Sequence, residues 1–178
     1  DAPDKVIGRV STYGVVPIDD VDSVRYNVVE MMRRARKSVV ITSPYLIPGE
    51  AGIETFRESI ARHGVTYTLV TNSLAATDEP VVHTGYRRYR PEMLKLGMNL
   101  YELSPQKVSR SLRLGRFSTS IGRLHAKSAV VDGERVFIGS MNFDPRSDQL
   151  NTEMGLFIQS PVLAQQMLKL VDVIRQQG

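Results

Sequence analysis

Asp132 and Gly133 stand between two short runs of apolar and β-branched residues, Ser128-Ala129-Val130-Val131 and Val136-Phe137-Ile138. An Asp-Gly pair in that setting is a strong hairpin signal, because both central residues of a tight turn must accept φ > 0. No other stretch constrains the fold as much. A two-residue turn fixes a register in which Val131 opposes Glu134, Lys127 opposes Ile138 and His125 opposes Ser140. Opposed residues share a face, and side chains alternate along each strand. His125, Lys127, Ser140 and Asn142 then gather on one face at the open end, with about 5–8 Å between neighbouring Cβ atoms. Away from that end both faces are apolar: Ala129, Val131, Val136 and Ile138 on one, Val130 and Phe137 on the other. Such strands suit the middle of a sheet covered on both sides.

The gathered set has chemical meaning. It holds an imidazole, an ammonium, a hydroxyl and an amide, and no carboxylate. Lys127 would be expensive to bury for packing alone. Donors of this kind around one point suit an oxyanion with several oxygens, and phosphate is the leading candidate. A neutral imidazole can attack phosphorus or deliver a proton to a leaving alkoxide. Lys127, Ser140 and Asn142 would hold the non-bridging oxygens. Asp132 is accounted for by the turn, at the end of the hairpin away from His125. Gly139 lets backbones approach closely. Neither His63 nor His83 has a Lys two residues later, so the chain carries one such set.

The spacing H-x-K-x4-D-x6-G-S-x-N is filled by His125, Lys127, Asp132, Gly139, Ser140 and Asn142 over eighteen positions. It resembles the signature of the phospholipase D superfamily. Residues 139–147, 150–153, 43–50 and 70–74 are similar, more narrowly, to the C-terminal half of bacterial cardiolipin synthases. The resemblance implies an α/β/α sandwich with a central mixed sheet flanked by helices on both faces. It implies a phosphatidyltransferase that needs neither metal nor cofactor and works through a phosphohistidine. It also implies two motif copies, so a second half is required, from a longer chain or from a homodimer. One His is then the nucleophile and the other the acid and base. Both roles stay open for His125, and a missing half would favour acid and base. Glu153 is expected to orient a catalytic His through its far nitrogen. The first residue is Asp1 and not Met, which fits a piece of a longer chain.

The remaining sequence sets bounds. A chain of 178 residues with 42% apolar content suits one domain with a real core. Residues 1–20 read as a linker and 21–178 as a single catalytic domain. No run of 18 apolar residues exists to span a bilayer, and there is no Cys. Net charge is +4, yet 104–123 alone holds five basic residues and no acidic one, leaving −1 for the rest. Arg110, Arg113 and Arg116 recur every third position there. That segment suits contact with an anionic membrane, nucleic acid phosphates, or only water. Tyr86, within Tyr86-Arg87-Arg88-Tyr89-Arg90, is either a headgroup contact or an inward-packing Tyr. Periodicity and breakers predict helices at 22–37, 52–63, 81–96 (broken at Pro91) and 161–175. They predict strands at 38–43, 65–71, 98–103 and 152–159 beside the hairpin.

The expected partners are therefore a phospholipid substrate, a peripheral membrane contact at the cytoplasmic face of an inner membrane, and the second half. A phosphodiesterase acting on nucleic acid is the alternative, with no Trp and five Phe for base stacking. A half-site that binds phosphate without turnover is the third reading.

Overall fold

β2 (Ser38–Thr42) lies inside the sheet and separates two kinds of strand pairing. The computed structural model describes residues 5–7, 24–104, 124–144 and 153–175. On one side of β2, β3 (Thr66–Asn72) and β4 (Asn99–Leu103) run parallel to it. On the other side β5 (Ser128–Val131), β6 (Arg135–Gly139) and β7 (Gly155–Gln159) form an antiparallel meander. β1 (Lys5–Ile7) closes the far edge antiparallel to β7, inside the stretch expected to be a linker. The order is β1-β7-β6-β5-β2-β3-β4. Parallel neighbours need a crossover, and helices supply it.

The helices are α1 (Val24–Arg33), α2 (Gly49–His63), α3 (Pro80–Lys95) and α4 (Pro161–Arg175). Strand parity decides which face each covers. Val39 and Ile41 of β2, Tyr67 and Leu69 of β3, and Ala129, Val131 and Phe137 join one core with apolar residues of α1, α2 and α3. Val40, Val130, Val136 and Ile158 point the other way, against Ala164, Met167 and Leu168 of α4. Helices thus cover both faces of a mixed sheet, as expected.

Boundaries follow local chemistry. α2 stops where Gly64 takes φ +64° and donates its N–H to Ile60 at 2.8 Å, a conformation that costs Gly little. α3 starts on Pro80 and runs unbroken through Pro91, contrary to the expected split. Pro91 and Arg87 both lie on the exposed side, so the carbonyl that loses its partner is open to water.

The hairpin register differs from the expected one by a residue. Val131 pairs with Arg135, Ala129 with Phe137 and Ser128 with Ile138. The loop therefore holds Asp132, Gly133 and Glu134, with φ +56° and +72° at the first two. The slip moves residues between faces: Phe137 joins Ala129 and Val131, while Val136 joins Val130. Its cause is the Asp132 side chain. The carboxylate accepts the main-chain N–H of Arg36, Lys37 and Ser38 at 2.7–3.1 Å and the Arg135 guanidinium at 2.6 Å. Asp132 is thus a tie between the α1–β2 turn and the hairpin, and a two-residue turn does not describe it.

Candidate active site

His125 and Lys127 precede β5, past the point where β2 ends. Lys127 is half-buried and His125 exposed. The Lys127 ammonium donates to the His125 carbonyl at 2.8 Å and lies 3.5 Å from its Nε2. Burial lowers the Lys127 pKa from its ordinary value, and the nearby charges of Glu153 and Asp78 oppose that shift. The two carboxylates favour the ammonium form, against the burial that disfavours it.

Ser140 and Glu153 form the second part of the site. Gly139 and Gly155 are paired across β6 and β7. A Cβ on Gly139 would come within 2.5 Å of the Met154 carbonyl, so only Gly fits. That close approach carries Ser140 to Glu153. The Ser140 hydroxyl donates to the Glu153 carboxylate, which is 6% exposed, and accepts the Met154 N–H at 2.9 Å. Within this unit the Glu153 carboxylate engages Ser140, and the His125 ring meets Lys127. The expected Glu153–His bond is therefore not made to His125 of the same unit.

With the observed register, ladder parity sets Ser140 apart from Lys127, since Gly139 donates to the Lys127 carbonyl. Glu153 links them, since it accepts the Ser140 hydroxyl and its charge also acts on Lys127. Asn142 follows two residues on, half-buried. Its neighbours are held by residues 43–47: Phe143 N–H to Ser43 Oγ at 3.3 Å, Ile47 N–H to the Phe143 carbonyl at 2.6 Å, and a bridge between Leu46 and Phe143. Ser43 in turn donates to the Tyr45 carbonyl at 2.6 Å. The Ser-Pro-Tyr-Leu-Ile-Pro run is thus the shelf under the Ser140–Asn142 segment.

The structure corrects one expected contact. Tyr86 is 2% exposed and sits in the core with Met93 and Phe56, its hydroxyl donating to Glu102 at 3.1 Å. Burial, then the Glu102 charge, pushes its pKa well above the usual phenol range. It packs and does not meet a headgroup. Its neighbours Arg88 and Arg90 are exposed and face Glu50 and Glu102. Arg110, Arg113 and Arg116 lie outside the described residues.

Sequence reasoning missed two groups. Asn72 is buried at the end of β3 and bonds both main-chain groups of Leu124. Tyr45 donates to Asp78 at 2.7 Å, on the loop whose charge Lys127 feels. A polar Thr-Asn pair ending an otherwise apolar strand was the available signal for Asn72.

The family described as cardiolipin synthase, PLD-like domain, matches residues 28–174. The chain belongs to that phospholipase D-like family. Among curated relatives, cardiolipin synthase C of Escherichia coli K12 is 41% identical over 167 residues, covering 93% of this chain and 33% of the relative. The chain spans about a third of the length of that phospholipase D-like relative. Among solved structures, a phospholipase D family member, Nuc, from Salmonella typhimurium aligns with TM-score 0.64 and 20% identity, over 88% of this chain and 89% of that one. NucT from Helicobacter pylori aligns with TM-score 0.64 and 18% identity, over 95% and 96%. Those two likenesses show the phospholipase D-like fold alone.

Proposed function

We propose that this unit is one half of a metal-independent phosphatidyltransferase of the cardiolipin synthase type. The observation that carries the reading is the His125–Lys127 pair with the Ser140–Glu153 pair, linked by the Glu153 charge acting on Lys127, at the end of a sheet of the phospholipase D kind. The reaction needs two imidazoles. One ring nitrogen attacks the phosphorus of a phospholipid, and the bond to the headgroup oxygen breaks. The second His gives its proton to the departing alkoxide. A hydroxyl of a second lipid then gives its proton back to that His and attacks the phosphohistidine, releasing the imidazole. Lys127 and Asn142 stabilise the charge on the non-bridging oxygens through both steps, and Ser140 joins them when its hydroxyl proton turns from Glu153 to the phosphate. The Glu153 charge favours the ammonium form of Lys127.

Acceptor transfer must outcompete water, which an apolar entrance favours. Ile138 and Leu156 are paired across β6 and β7, are 40% and 43% exposed, and lead directly to Gly139 and Gly155. They offer acyl chains a surface beside the site. No described helix is long and apolar enough to cross a membrane. The second motif comes from a partner. That partner is a second copy or a second half of one longer chain, and the match to a third of a longer relative favours the latter.

The test is transfer from labelled phosphatidylglycerol vesicles in EDTA, with light scattering to find the concentration at which copies pair and single-stranded DNA as the competing substrate. A diphosphatidyl product that disappears in His125→Asn is expected. Product formation that survives His125→Asn, or that requires a divalent metal, refutes the proposal. Cleavage of the DNA with no lipid product would replace it with the phosphodiesterase reading.

A further inference from the structure

At the end of the sheet that carries the site, β2 stops before β3 does. It stops at Thr42, which pairs with Val70 on one side and Ser128 on the other. β3 continues past that point to Asn72, and the chain leading into β5 extends past it on the opposite flank. Strands one apart lie about 4.8 Å from each other, so these two flanks are roughly 9–10 Å apart with no strand between them. The chain of β2 has turned away through Pro44, whose carbonyl accepts the Thr71 hydroxyl at 3.3 Å. A cleft lined by Pro44, Tyr45, Thr71 and Asn72, among others, remains.

The Asn72 side chain crosses that gap. Its Nδ2 donates to the Leu124 carbonyl at 3.1 Å and its Oδ1 accepts the Leu124 N–H at 2.9 Å. A primary amide has the same donor and acceptor as a peptide group. Here it gives Leu124 a peptide-like partner at a level where the chain after β2 has turned away. Both bonds are buried, and Asn72 is 2% exposed. The next residue after Leu124 is His125. Residues 124–127 lie outside the ladder and are held at their two ends, by Asn72 at Leu124 and by the Gly139 N–H at the Lys127 carbonyl.

We propose that Asn72 is the positioning residue for His125, fixing the main chain beside the reacting imidazole by imitating the peptide that β2 lacks. The inference rests on His125 being a reacting group, as proposed above. It accounts for the buried amide at the end of β3. It also makes a specific chemical demand: the group at 72 must donate once and accept once. A carboxylate cannot donate, whereas a protonated carboxyl can do both. Burial raises the pKa of a carboxyl placed there.

The experiment compares Asn72→Ala, Asn72→Leu and Asn72→Asp with the unaltered chain by NMR. It reads Leu124 N–H exchange, His125 ring linewidth and orthovanadate affinity, with thermal unfolding alongside. Tyr67→Phe is the control, because it loses the buried Tyr67–Ser59 hydrogen bond on the same strand. Asn72→Ala and Asn72→Leu are expected to speed Leu124 exchange on the order of tenfold relative to other β3 and β5 amides, and to weaken vanadate by about tenfold through misplacement of the ring. Tyr67→Phe should lower the unfolding temperature and leave both readouts unchanged. Asn72→Asp should resemble Asn72→Ala at pH 8 and recover slow exchange and a narrow His125 signal at mildly acid pH. Unchanged Leu124 exchange in Asn72→Ala overturns the inference, and so does an Asn72→Asp variant with no acid recovery. If the unaltered chain binds no vanadate, the functional reading fails on that count, while the exchange and linewidth data still decide the role of Asn72.

Discussion

Replacing Asp132 by Asn should cost stability and spare the site. The carboxylate accepts from three main-chain N–H groups and from Arg135. Hydrogen bonds to a charged group contribute about 1.5–3 kcal/mol each where water is excluded. Arg36 and Lys37 are exposed, so their N–H groups regain water in a variant. The Arg135 contact is better shielded, with side-chain exposures of 23% and 9%. We therefore expect a loss of about 2–3 kcal/mol for Asp132→Ala and about 1–2 kcal/mol for Asp132→Asn, which keeps one acceptor. The pH dependence gives an independent reading. Burial alone would raise the Asp132 pKa, but the N–H groups of Lys37, Arg36 and Ser38 and the Arg135 guanidinium outweigh it, and the pKa falls below the ordinary carboxylate value. A depressed folded pKa gives stability that is present above the unfolded value, about 3.9, and is lost as pH falls through the folded one. Urea unfolding from pH 7 to pH 2.5 should show that acid loss in the unaltered chain and less of it in Asp132→Asn. Vanadate affinity of the folded variant at pH 7 should change less than about threefold, because His125 lies at the other end of the hairpin. Equal stability at pH 7 with an unchanged acid limb would refute the tie; a large loss of vanadate binding in a folded variant would refute its separation from the site.

Other expectations follow from single contacts. Gly139→Ala must move the Met154 main chain away from a Cβ 2.5 Å distant, so it should lose about 1–3 kcal/mol and displace Ser140 from Glu153, read as weaker vanadate binding. Tyr86→Phe removes only the bond to Glu102; a loss of about 0.5–1.5 kcal/mol with unchanged lipid transfer is expected, and a selective loss of transfer would restore Tyr86 as a headgroup contact. Glu153→Gln removes a charge that holds the Lys127 pKa up, so vanadate binding should fail at lower pH on the alkaline side than in the unaltered chain. An alkaline limb that stays in place would show that Lys127 does not govern it. Leu156→Ser should reduce vesicle sedimentation while leaving vanadate affinity intact, and the opposite pattern would remove the apolar surface from the proposal.

Much of this architecture was legible in the sequence because hydrophobic parity is a local signal. The runs around 128–131 and 136–138, apolar on both faces, marked a doubly covered hairpin before any pairing was known. What parity could not deliver was the register, since a one-residue slip leaves both runs equally apolar. The side chain that decided it, Asp132, finds its partners near residue 37, about ninety-five positions away. Tyr86 shows the same limit: among four charged or aromatic neighbours it reads as a headgroup contact or an inward-packing ring, and Glu102 meeting its hydroxyl inside decides between them. The polar end of β3 hinted at Asn72, but its role depends on where another strand ends and so could not be read from the sequence.

The position of β2 also has a consequence for synthesis of the chain. Val39 pairs with Val131, so one whole edge of β2 waits for more than ninety residues to follow it. Until then β2, β3 and β4 can assemble with their local crossover helices, but they present an open row of unpaired peptide groups. Pairings so distant in sequence make folding slow. The late arrival of β5 both closes that edge and delivers His125 and Lys127, so a growing chain acquires its reactive groups only in the step that ends its exposure to aggregation.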